Sequence, residues 1–488
     1  MLDTPNLNTY LEFPFDHLKL PPRRTLAPPE EISQEEQESQ QHQKAERSGP
    51  LSLSLKQFIL WVGPALMVSI AYMDPGNYGT DLAAGAGYKY ALLWAGWLAS
   101  GMAMLLQYLS GKLGIASGHH LAELVRQSFG GKRRYVIPYW LAAEAAAAAT
   151  DLAEYLGTVL GLNILFGIPL IYCALFGALD VIILLTMMTR RFRLIEQYFA
   201  ILISILVIGI FYDLLVIGNF NLAQIGLGSV IPSAPDTAAL FIAVGMIGAT
   251  VMPHALFVHS WLSRNKMDLL GTPINGGKKA ASISDMTTKR TDDNHHTYTS
   301  EQKSRTNRLH RNETVIALTI AGVVNAGILL VAIPLFQGTG VNVNLTVQQF
   351  VAGMSHIYGP AIGVLFALTL LASGLSSSAL GTIAGQVIME GLIGKRWNIW
   401  ARRIITRIVN VFPTTIAILL GLSPLVLLIY SQVILSLMIP LPMIPLVYYT
   451  SKKKFMGELV NRKRTIVLAL ATVVLIISFN TLLLTTLV

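Results

Sequence analysis

Two short stretches of residues that can coordinate a cation interrupt long apolar segments of this chain. The first is Asp74-Pro75-Gly76-Asn77 and the second is Met252-Pro253-His254. A proline has no N–H to donate, so each stretch leaves a carbonyl four residues earlier without its helical hydrogen bond, at Ala71 and at Ala249. In hydrocarbon such a break is tolerated only where it lines a cavity. We therefore expect two interrupted membrane helices whose breaks face one cavity.

The donor atoms of the two breaks indicate which ion this cavity binds. The Asp74 carboxylate, the Asn77 carboxamide and the two backbone carbonyls are hard oxygen ligands, which alone suit Mg²⁺ or Ca²⁺. Met252 adds a soft thioether sulfur, which favours transition metals over the hard cations. A single carboxylate neutralises a divalent ion only partly, which is consistent with release of the ion. The ligand set predicts Mn²⁺, Fe²⁺ or a neighbouring metal.

The composition is typical of a membrane protein. Of the 488 residues, 53% are hydrophobic and only 13% are charged, with a mean hydropathy of +0.55, whereas soluble proteins carry about 25% charged residues. The net charge of +9 could indicate nucleic-acid binding, but the basic residues cluster in alternate loops, which argues against that class. A single cysteine, Cys173, excludes a disulfide framework and a cysteine-based zinc site.

Apolar stretches of about 20 residues, the length that crosses a bilayer, recur from residue 55 onward. We count eleven, centred near Ile70, Ala103, Ala147, Phe176, Ser204, Ala249, Gly322, Leu370, Thr414, Leu435 and Ile476. Lys and Arg cluster after the even-numbered spans, so the positive-inside rule places the N-terminus in the cytoplasm and the C-terminus outside. Spans 1–5 and 6–10 would form two units of opposite orientation, each opening on a broken helix. This pattern predicts an all-α integral membrane protein with a 5+5 inverted repeat and a site near the bilayer midplane.

The predicted organisation has four parts. Residues 1–50 are polar and read as a disordered cytoplasmic tail. Residues 51–220 form the first repeat, 236–450 the second, and 463–488 the eleventh span. The second repeat includes a polar cytoplasmic loop at about 265–311, whose histidines we interpret as part of a solvated connector rather than a metal sensor, because their spacing does not match a closed metal site.

The third span carries three acidic residues, Glu144, Asp151 and Glu154, within about 80° of one helical face. Three carboxylates cannot face lipid, so this face must look inward. The ninth span offers basic partners at Arg402, Arg403 and Arg407. Two interpretations stay open: structural ion pairs that hold helices together, and a proton route built from titratable carboxylates near arginines.

Two carboxamides and two histidines are further inward-facing candidates. Gln107 in the second span and Gln432 in the tenth are more typical of interhelical hydrogen bonds than of ligands. His254 and His259 are five residues apart, about 140° around a helix, so we do not expect them to share one ligand sphere. We interpret His259 as part of an exit route or as a core histidine with satisfied hydrogen bonds.

The paired stretches Asp74-Pro75-Gly76-Asn77 and Met252-Pro253-His254 resemble the signature of the Nramp (natural resistance-associated macrophage protein) divalent-metal transporters, in their bacterial manganese-transport form. The resemblance covers about residues 55–450, including Thr150-Asp151-Leu152-Ala153-Glu154 and Gly381-Thr382-Ile383-Ala384-Gly385-Gln386. It implies a LeuT-like fold with broken helices 1 and 6. It also implies proton-coupled import of Mn²⁺ and Fe²⁺, with Cd²⁺ and Co²⁺ as further cargo.

The resemblance also implies roles for individual residues. The metal ligands would be Asp74, Asn77 and Met252 by side chain and Ala71 and Ala249 by carbonyl, joined by Gln432 in the occluded state and with Gln107 nearby. The proton route would comprise Asp74, His254, Asp151, Glu154, Arg402 and Arg403. The chain departs from the family pattern at Ala255, at Leu375 and at Tyr78-Gly79, none of which is an implied ligand. The methionine argues against the related magnesium and aluminium transporters, which lack it.

We therefore predict a bacterial inner-membrane symporter whose substrates are divalent metal ions and protons. The sequence implies no cofactor, no nucleic-acid partner and no obligate protein partner. An uncoupled uniporter or channel with the same site is the first alternative. An intramembrane metalloenzyme is disfavoured because the chain lacks His-Glu-x-x-His and any Cys/His cluster. An amino-acid transporter on the same fold is disfavoured by an acidic residue and a methionine where a substrate carboxylate would bind.

Overall fold

The computed structural model describes residues 72–177, 192–264, 299–335, 346–395 and 398–487. The regular secondary structure of these residues is helical, with no strand among them. Ala71, the tail at 1–50 and most of the loop predicted at 265–311 lie outside the described residues.

The described part of the first predicted repeat contains six helices. They are α1 (Pro75–Tyr88), α2 (Leu93–Ser117), α3 (Leu121–Ser128), α4 (Arg133–Phe166), α5 (Leu170–Gly177) and α6 (Phe192–Ile217). A short helix α7 (Leu222–Val230) follows, before the second predicted repeat begins. The two long helices α2 and α4 end on glycines in the left-handed conformation, Gly118 and Gly167, where a side chain would be strained.

The second predicted repeat and the C-terminal span supply the remaining helices. They are α8 (Thr237–Val251), α9 (Pro253–Arg264), α10 (Ser300–Ala332), α11 (Val347–Tyr358), α12 (Pro360–Ile393), α13 (Ile399–Leu419), α14 (Pro424–Met438), α15 (Pro440–Thr450), α16 (Lys453–Met456) and α17 (Lys463–Leu487). By length and composition alone, five described segments could cross a membrane: Thr237–Arg264, Ser300–Leu335, Pro360–Ile393, Pro424–Thr450 and Lys463–Thr486.

The second predicted break is confirmed as a break between two helices. Helix α8 ends at Val251, Met252 is its C-cap, and Pro253 begins α9. At the first break, Tyr72, Met73 and Asp74 are non-helical, and Pro75 occupies the first turn of α1. Proline is favoured at a helix start because its missing N–H would have had no helical partner there.

The predicted polar loop is shorter than expected at its C-terminal end. Helix α10 begins at Ser300, so residues 300–311 are helical rather than loop. Thr299 caps this helix with a capping box: its hydroxyl accepts from the backbone N–H of Gln302, whose side chain accepts from the N–H of Thr299. His310 therefore lies inside a helix and is buried.

Helices α4 and α12 share the most extensive helix–helix contact in the described structure, and both contact α1. Small residues allow this approach. Gly157 of α4 lies against the Pro75 ring, and Gly374 of α12 lies against the backbone of Thr158, so a Cβ at either glycine would clash. These two glycines let the helices approach closely beside the first break.

Candidate functional site

Asp74 offers one carboxylate oxygen to the protein and leaves the other without a partner among the described residues. As the N-cap of α1, its Oδ1 accepts hydrogen bonds from the backbone N of Asn77 at 2.9 Å and from Asn77 Nδ2 at 2.8 Å. Its Oδ2 is buried and has no hydrogen-bond partner in the described part of the chain. The residue is 0% exposed. A buried carboxylate oxygen without a donor is costly unless a cation or a proton occupies it.

Asn77 joins the two breaks. Its Nδ2 lies 3.2 Å from the carbonyl oxygen of Tyr72 and 3.5 Å from that of Ala249, and its Oδ1 accepts from Thr250 Oγ1 at 3.1 Å. The Ala249 carbonyl is the one that the sequence predicts to be released by Pro253. The structure therefore brings the second-break carbonyl to a carboxamide of the first break.

Met252 occupies a backbone conformation that is unusual for a side-chain-bearing residue. Its φ is 46° and its ψ is 100°, in a chain where Lys89 and Asn219 are the other described non-glycine residues with positive φ. Its N–H still reaches the carbonyl of Gly248 at 3.3 Å. Such strain persists where the surroundings hold the residue in place, and it is frequent at ligand sites. The Met252 side chain is 1% exposed and lies in the core.

Gln432 packs against both breaks. Its carboxamide lies against Gly76, where a Cβ would overlap it, and its backbone carbonyl lies against Gly248 of α8. The carboxamide donates from Nε2 to Ser431 Oγ at 2.9 Å, while Oε1 is buried without a partner in the described structure. The structure thus places a second unpartnered oxygen beside the residues of the first break.

Gln107 has a different partner from the one expected at a metal site. Its Oε1 lies 2.9 Å from His259 Nδ1, and both residues are buried. His254 instead lies 3.0 Å from Thr150 Oγ1 on α4. The prediction that the two histidines belong to different environments agrees with these separate partners.

The acidic face of α4 meets the arginines of α13. Arg402 pairs with Glu144, and Arg403 pairs with Asp151. Arg407 lies 3.8 Å from Asp151 Oδ1. Both pairs join residues that the sequence proposed as partners, and they fix α13 to α4.

Glu154 differs from its two acidic neighbours. It is 1% exposed and forms no ion pair within the described residues. Its carboxylate lies against Gly381 of α12, where a Cβ would overlap it. Glu154 is therefore a buried carboxylate one turn from the ion-paired Asp151, with no arginine paired to it among the described residues.

The sequence analysis missed several residues that form hydrogen bonds with the predicted site residues. Asn410 donates to Asp151 Oδ2 at 2.5 Å, and Ser378 accepts from Arg403 and Arg407. Asn325 donates to the Tyr72 carbonyl at 3.0 Å, and Ser373 donates to the Met73 carbonyl at 2.5 Å. Asn410 is seven residues after Arg403 and so lies on the same face of α13, which the sequence could have indicated. The partners of the Tyr72 and Met73 carbonyls depend on tertiary packing, and no sequence pattern indicated them.

Comparison with known proteins decides the family. The model of the natural resistance-associated macrophage protein-like family matches residues 65–486. The chain belongs to the Nramp family. A divalent metal cation transporter MntH of Deinococcus radiodurans is 39% identical over 427 residues, covering 87% of this chain and 89% of that protein. One of Granulibacter bethesdensis is 37% identical over 430 residues, covering 88% and 89%.

Solved structures agree with the Nramp assignment. The Eremococcus coleocola manganese transporter, in complex with an aromatic bis-isothiourea substituted compound, is 30% identical with a TM-score of 0.70, covering 89% of this chain and 87% of that one. MhsT in complex with L-phenylalanine is 15% identical with a TM-score of 0.52, covering 87% and 98%, and shows a shared fold alone. The predicted all-helical, LeuT-like fold class is confirmed. This Nramp chain is a multi-pass membrane protein, and the relatives named are transporters, not enzymes.

Proposed function

We propose that this Nramp protein imports divalent transition metal ions, Mn²⁺ and Fe²⁺, across the cell membrane into the cytoplasm together with protons. The relatives that resemble it over most of their length are named as divalent metal cation transporters and as a manganese transporter. The transported ion is a substrate of the protein. The N-terminus would lie in the cytoplasm and the C-terminus outside, as the loop charges predict.

The observation that carries the metal proposal is the unpartnered Oδ2 of Asp74 at the junction of the two breaks. Asn77 Nδ2 donates to Asp74 Oδ1 and lies 3.5 Å from the Ala249 carbonyl oxygen, and Met252, which follows in the second break, is buried. Three kinds of oxygen donor with one sulfur suit a first-row divalent metal better than Mg²⁺ or Ca²⁺. The proposed ligands are Asp74, Asn77, Met252, Ala71 and Ala249, with Gln432 joining on occlusion and Gln107 nearby.

The proton proposal is supported by the groups that link the second break to α4. His254 contacts Thr150, the residue before Asp151, and Glu154 lies one turn further with no ion pair among the described residues. A proton displaced when a dication meets Asp74 could pass along this line of polar groups. The proposed route comprises Asp74, His254, Asp151, Glu154, Arg402 and Arg403.

An uncoupled uniporter is the second candidate, and the ion pairs favour it. Glu144 and Asp151 are each held by an arginine, which is the arrangement of a structural interface. In that case the acidic face of α4 would fasten helices together and carry no protons.

Metal-dependent proton flux in proteoliposomes tests the proposal and separates it from the uniporter. Purified protein is reconstituted with a pH dye inside, and Mn²⁺ is added outside at two pH values. We expect Mn²⁺ entry with acidification of the lumen. Glu154→Gln should keep metal entry and reduce the acidification, because the proposed acceptor can no longer take a proton. Metal entry without acidification in the unmodified protein would defeat symport and leave the uniporter.

A further inference from the structure

The connection between helices α15 and α17 carries a dense group of basic side chains. The segments on either side of it, Pro424–Thr450 and Lys463–Thr486, are both long and apolar enough to cross a membrane, so the connection lies where the chain leaves the bilayer. We call residues 450–464 the basic connector. It contains one acidic residue, Glu458, and six basic ones. The basic residues are Lys452, Lys453, Lys454, Arg462, Lys463 and Arg464.

The charge of the basic connector is not compensated within the described structure. All six basic side chains are exposed, and none of them forms an ion pair with another described residue. Lys452 Nζ lies over the Tyr448 ring at 5.4 Å, and Lys454 Nζ lies over the Phe455 ring at 5.8 Å. An aromatic ring helps to position an ammonium group but does not remove its charge. The connector therefore presents a strongly positive surface to an anion.

A hydrogen bond across the base of the connector brings its basic residues together. The backbone N–H of Asn461 donates to the carbonyl of Thr450 at 3.1 Å. Residues 452–454 begin two positions after Thr450, and residues 462–464 begin one position after Asn461, so the two groups of three begin next to each other. Like charges held this close repel each other, and a bound anion offsets that repulsion.

Buried contacts hold the connector against α2 and α3. Lys112 of α2 donates to Asn461 Oδ1 at 2.7 Å, and both of these residues are buried. At the end of α15, the Tyr449 hydroxyl lies 2.8 Å from Ser128 Oγ of α3, and the Tyr449 and Phe455 ring centroids are 5.0 Å apart. A surface whose backbone is already ordered loses less conformational freedom when it binds a partner. The connector is therefore preorganised for binding.

We propose that the basic connector is a binding surface for the headgroups of anionic phospholipids. Clusters of about four to eight Lys and Arg next to a membrane helix attract such headgroups, and each residue contributes about fivefold to the affinity. A bilayer places its headgroups at the depth where both flanking segments end, so position and charge agree. The positive-inside rule accounts for the side on which basic residues lie, but not for six of them on one anchored connection.

Lipid binding to the solubilised protein tests this surface. Native mass spectrometry compares bound phosphatidylglycerol, which is anionic, with phosphatidylcholine, which is zwitterionic, at identical acyl chains. We expect the unmodified protein to prefer phosphatidylglycerol, and the preference to fall as the ammonium acetate concentration rises, because salt screens exposed charges. Lys452→Gln, Lys453→Gln and Lys454→Gln together should weaken phosphatidylglycerol binding by at least about tenfold and leave phosphatidylcholine binding unchanged.

A second group of three consecutive basic residues supplies the matched control. Lys132→Gln, Arg133→Gln and Arg134→Gln together also remove three exposed charges, and Lys132 is the N-cap of α4 as Lys452 is the N-cap of α16. This variant should retain phosphatidylglycerol binding. Replacement of residues 452–454 by arginine keeps the charges and should bind phosphatidylglycerol as the unmodified protein does, which separates loss of charge from misfolding.

Several results would overturn the proposed surface. They are equal binding of the two lipids by the unmodified protein, unchanged phosphatidylglycerol binding in the glutamine variant of residues 452–454, an equal loss in the control, and loss of binding in the arginine variant. Displacement of phosphatidylglycerol by excess inorganic phosphate would also overturn it, because the connector would then bind free anions rather than lipid. The proposal goes beyond metal transport, and its failure would leave the proposed function standing, since metal uptake tests that function separately.

Discussion

The membrane interior of this protein holds two polar regions of opposite character. At the two breaks, Asp74 Oδ2 and Gln432 Oε1 are buried without a partner in the described structure. At the α4–α13 interface, Glu144 and Asp151 each face an arginine, and Asp151 also accepts from Asn410. Both regions contain buried polar atoms without a hydrogen-bond partner among the described residues, but only in the second are carboxylates paired with arginines.

We interpret the first region as the proposed ligand site and the second as a helix–helix interface that the proposed proton route crosses. A buried acceptor without a donor costs free energy until something binds it, which favours occupation by a cation. A buried ion pair costs free energy only when one partner is lost. Glu154 lies in the second region, on α4, but like the groups of the first region it has no ion pair among the described residues. We therefore propose Glu154 as the residue that connects the two regions along the proton route.

The largest effect is expected from removing the carboxylate at the first break. Asp74→Ala should reduce Mn²⁺ uptake to background, because no other carboxylate in the proposed ligand set compensates the charge of the ion. Uptake of radioactive Mn²⁺ into proteoliposomes measures this. Asp236→Ala is the matched control, since Asp236 is also a helix N-cap whose carboxylate accepts a backbone N–H, at 2.7 Å from Ala239. Robust uptake by Asp74→Ala would show that the metal site lies elsewhere in the protein.

Breaking a pair in the second region should affect stability. Arg403→Leu leaves the Asp151 carboxylate buried with weaker compensation, and we expect a loss of about 3–5 kcal/mol in stability. Thermal unfolding of the detergent-solubilised protein measures it as a lower midpoint. Arg464→Leu, at an exposed position, is the control. An unchanged midpoint in Arg403→Leu would show that the pair does not hold α13 to α4.

Removing the sulfur at the second break should alter selectivity more than rate. Met252→Ala retains the oxygen donors, so Mn²⁺ uptake should largely persist while discrimination against Ca²⁺ and Mg²⁺ falls about tenfold, or ~1.4 kcal/mol. Competition uptake with each divalent ion measures this, with Met246→Ala, also buried on α8, as the control. If the mutant excludes Ca²⁺ as well as the unmodified protein does, the thioether has no part in selection.

The smallest effect is expected at the hydrogen bond that joins the breaks. Thr250→Val keeps the shape of the side chain and removes the donor to Asn77 Oδ1, which should weaken Mn²⁺ binding by about 1 kcal/mol because Asn77 is less firmly oriented. Titration calorimetry gives the change in Kd. Thr450→Val removes a hydroxyl that bonds only within its own helix and should leave Kd unchanged. Equal affinities in both variants would mean that the Thr250 bond does not position the ligand.

The sequence was most informative where structure is determined locally. Pro253 marked the second break to the residue and Pro75 marked the start of α1, because the missing N–H acts within one helical turn. The arginine partners of Glu144 and Asp151 followed from the cost of leaving charges in lipid. The start of α10 is also determined by local sequence. The Thr299–Gln302 capping box could have indicated it, although the segment was interpreted as a loop.

Partners that depend on how helices meet could not be read from the sequence. For Gln107 the sequence indicated an interhelical hydrogen bond but not its partner, which the structure shows to be His259. Nothing in the sequence brings His310 to His259, because the contact requires α9 and α10 to pack on the same face of α2 at Gly111. The roles of Gln107 and His259 in transport stay predictions.

The left-handed backbone at Met252 restricts which amino acids can replace it. A β-branched residue such as valine, isoleucine or threonine is strongly disfavoured at φ near 46°, whatever its affinity for metal. Variants with altered ion preference at this position are therefore limited to side chains that do not branch at Cβ, such as leucine, asparagine, cysteine or alanine. The backbone conformation at position 252 therefore limits which ion selectivities substitution at this position can produce.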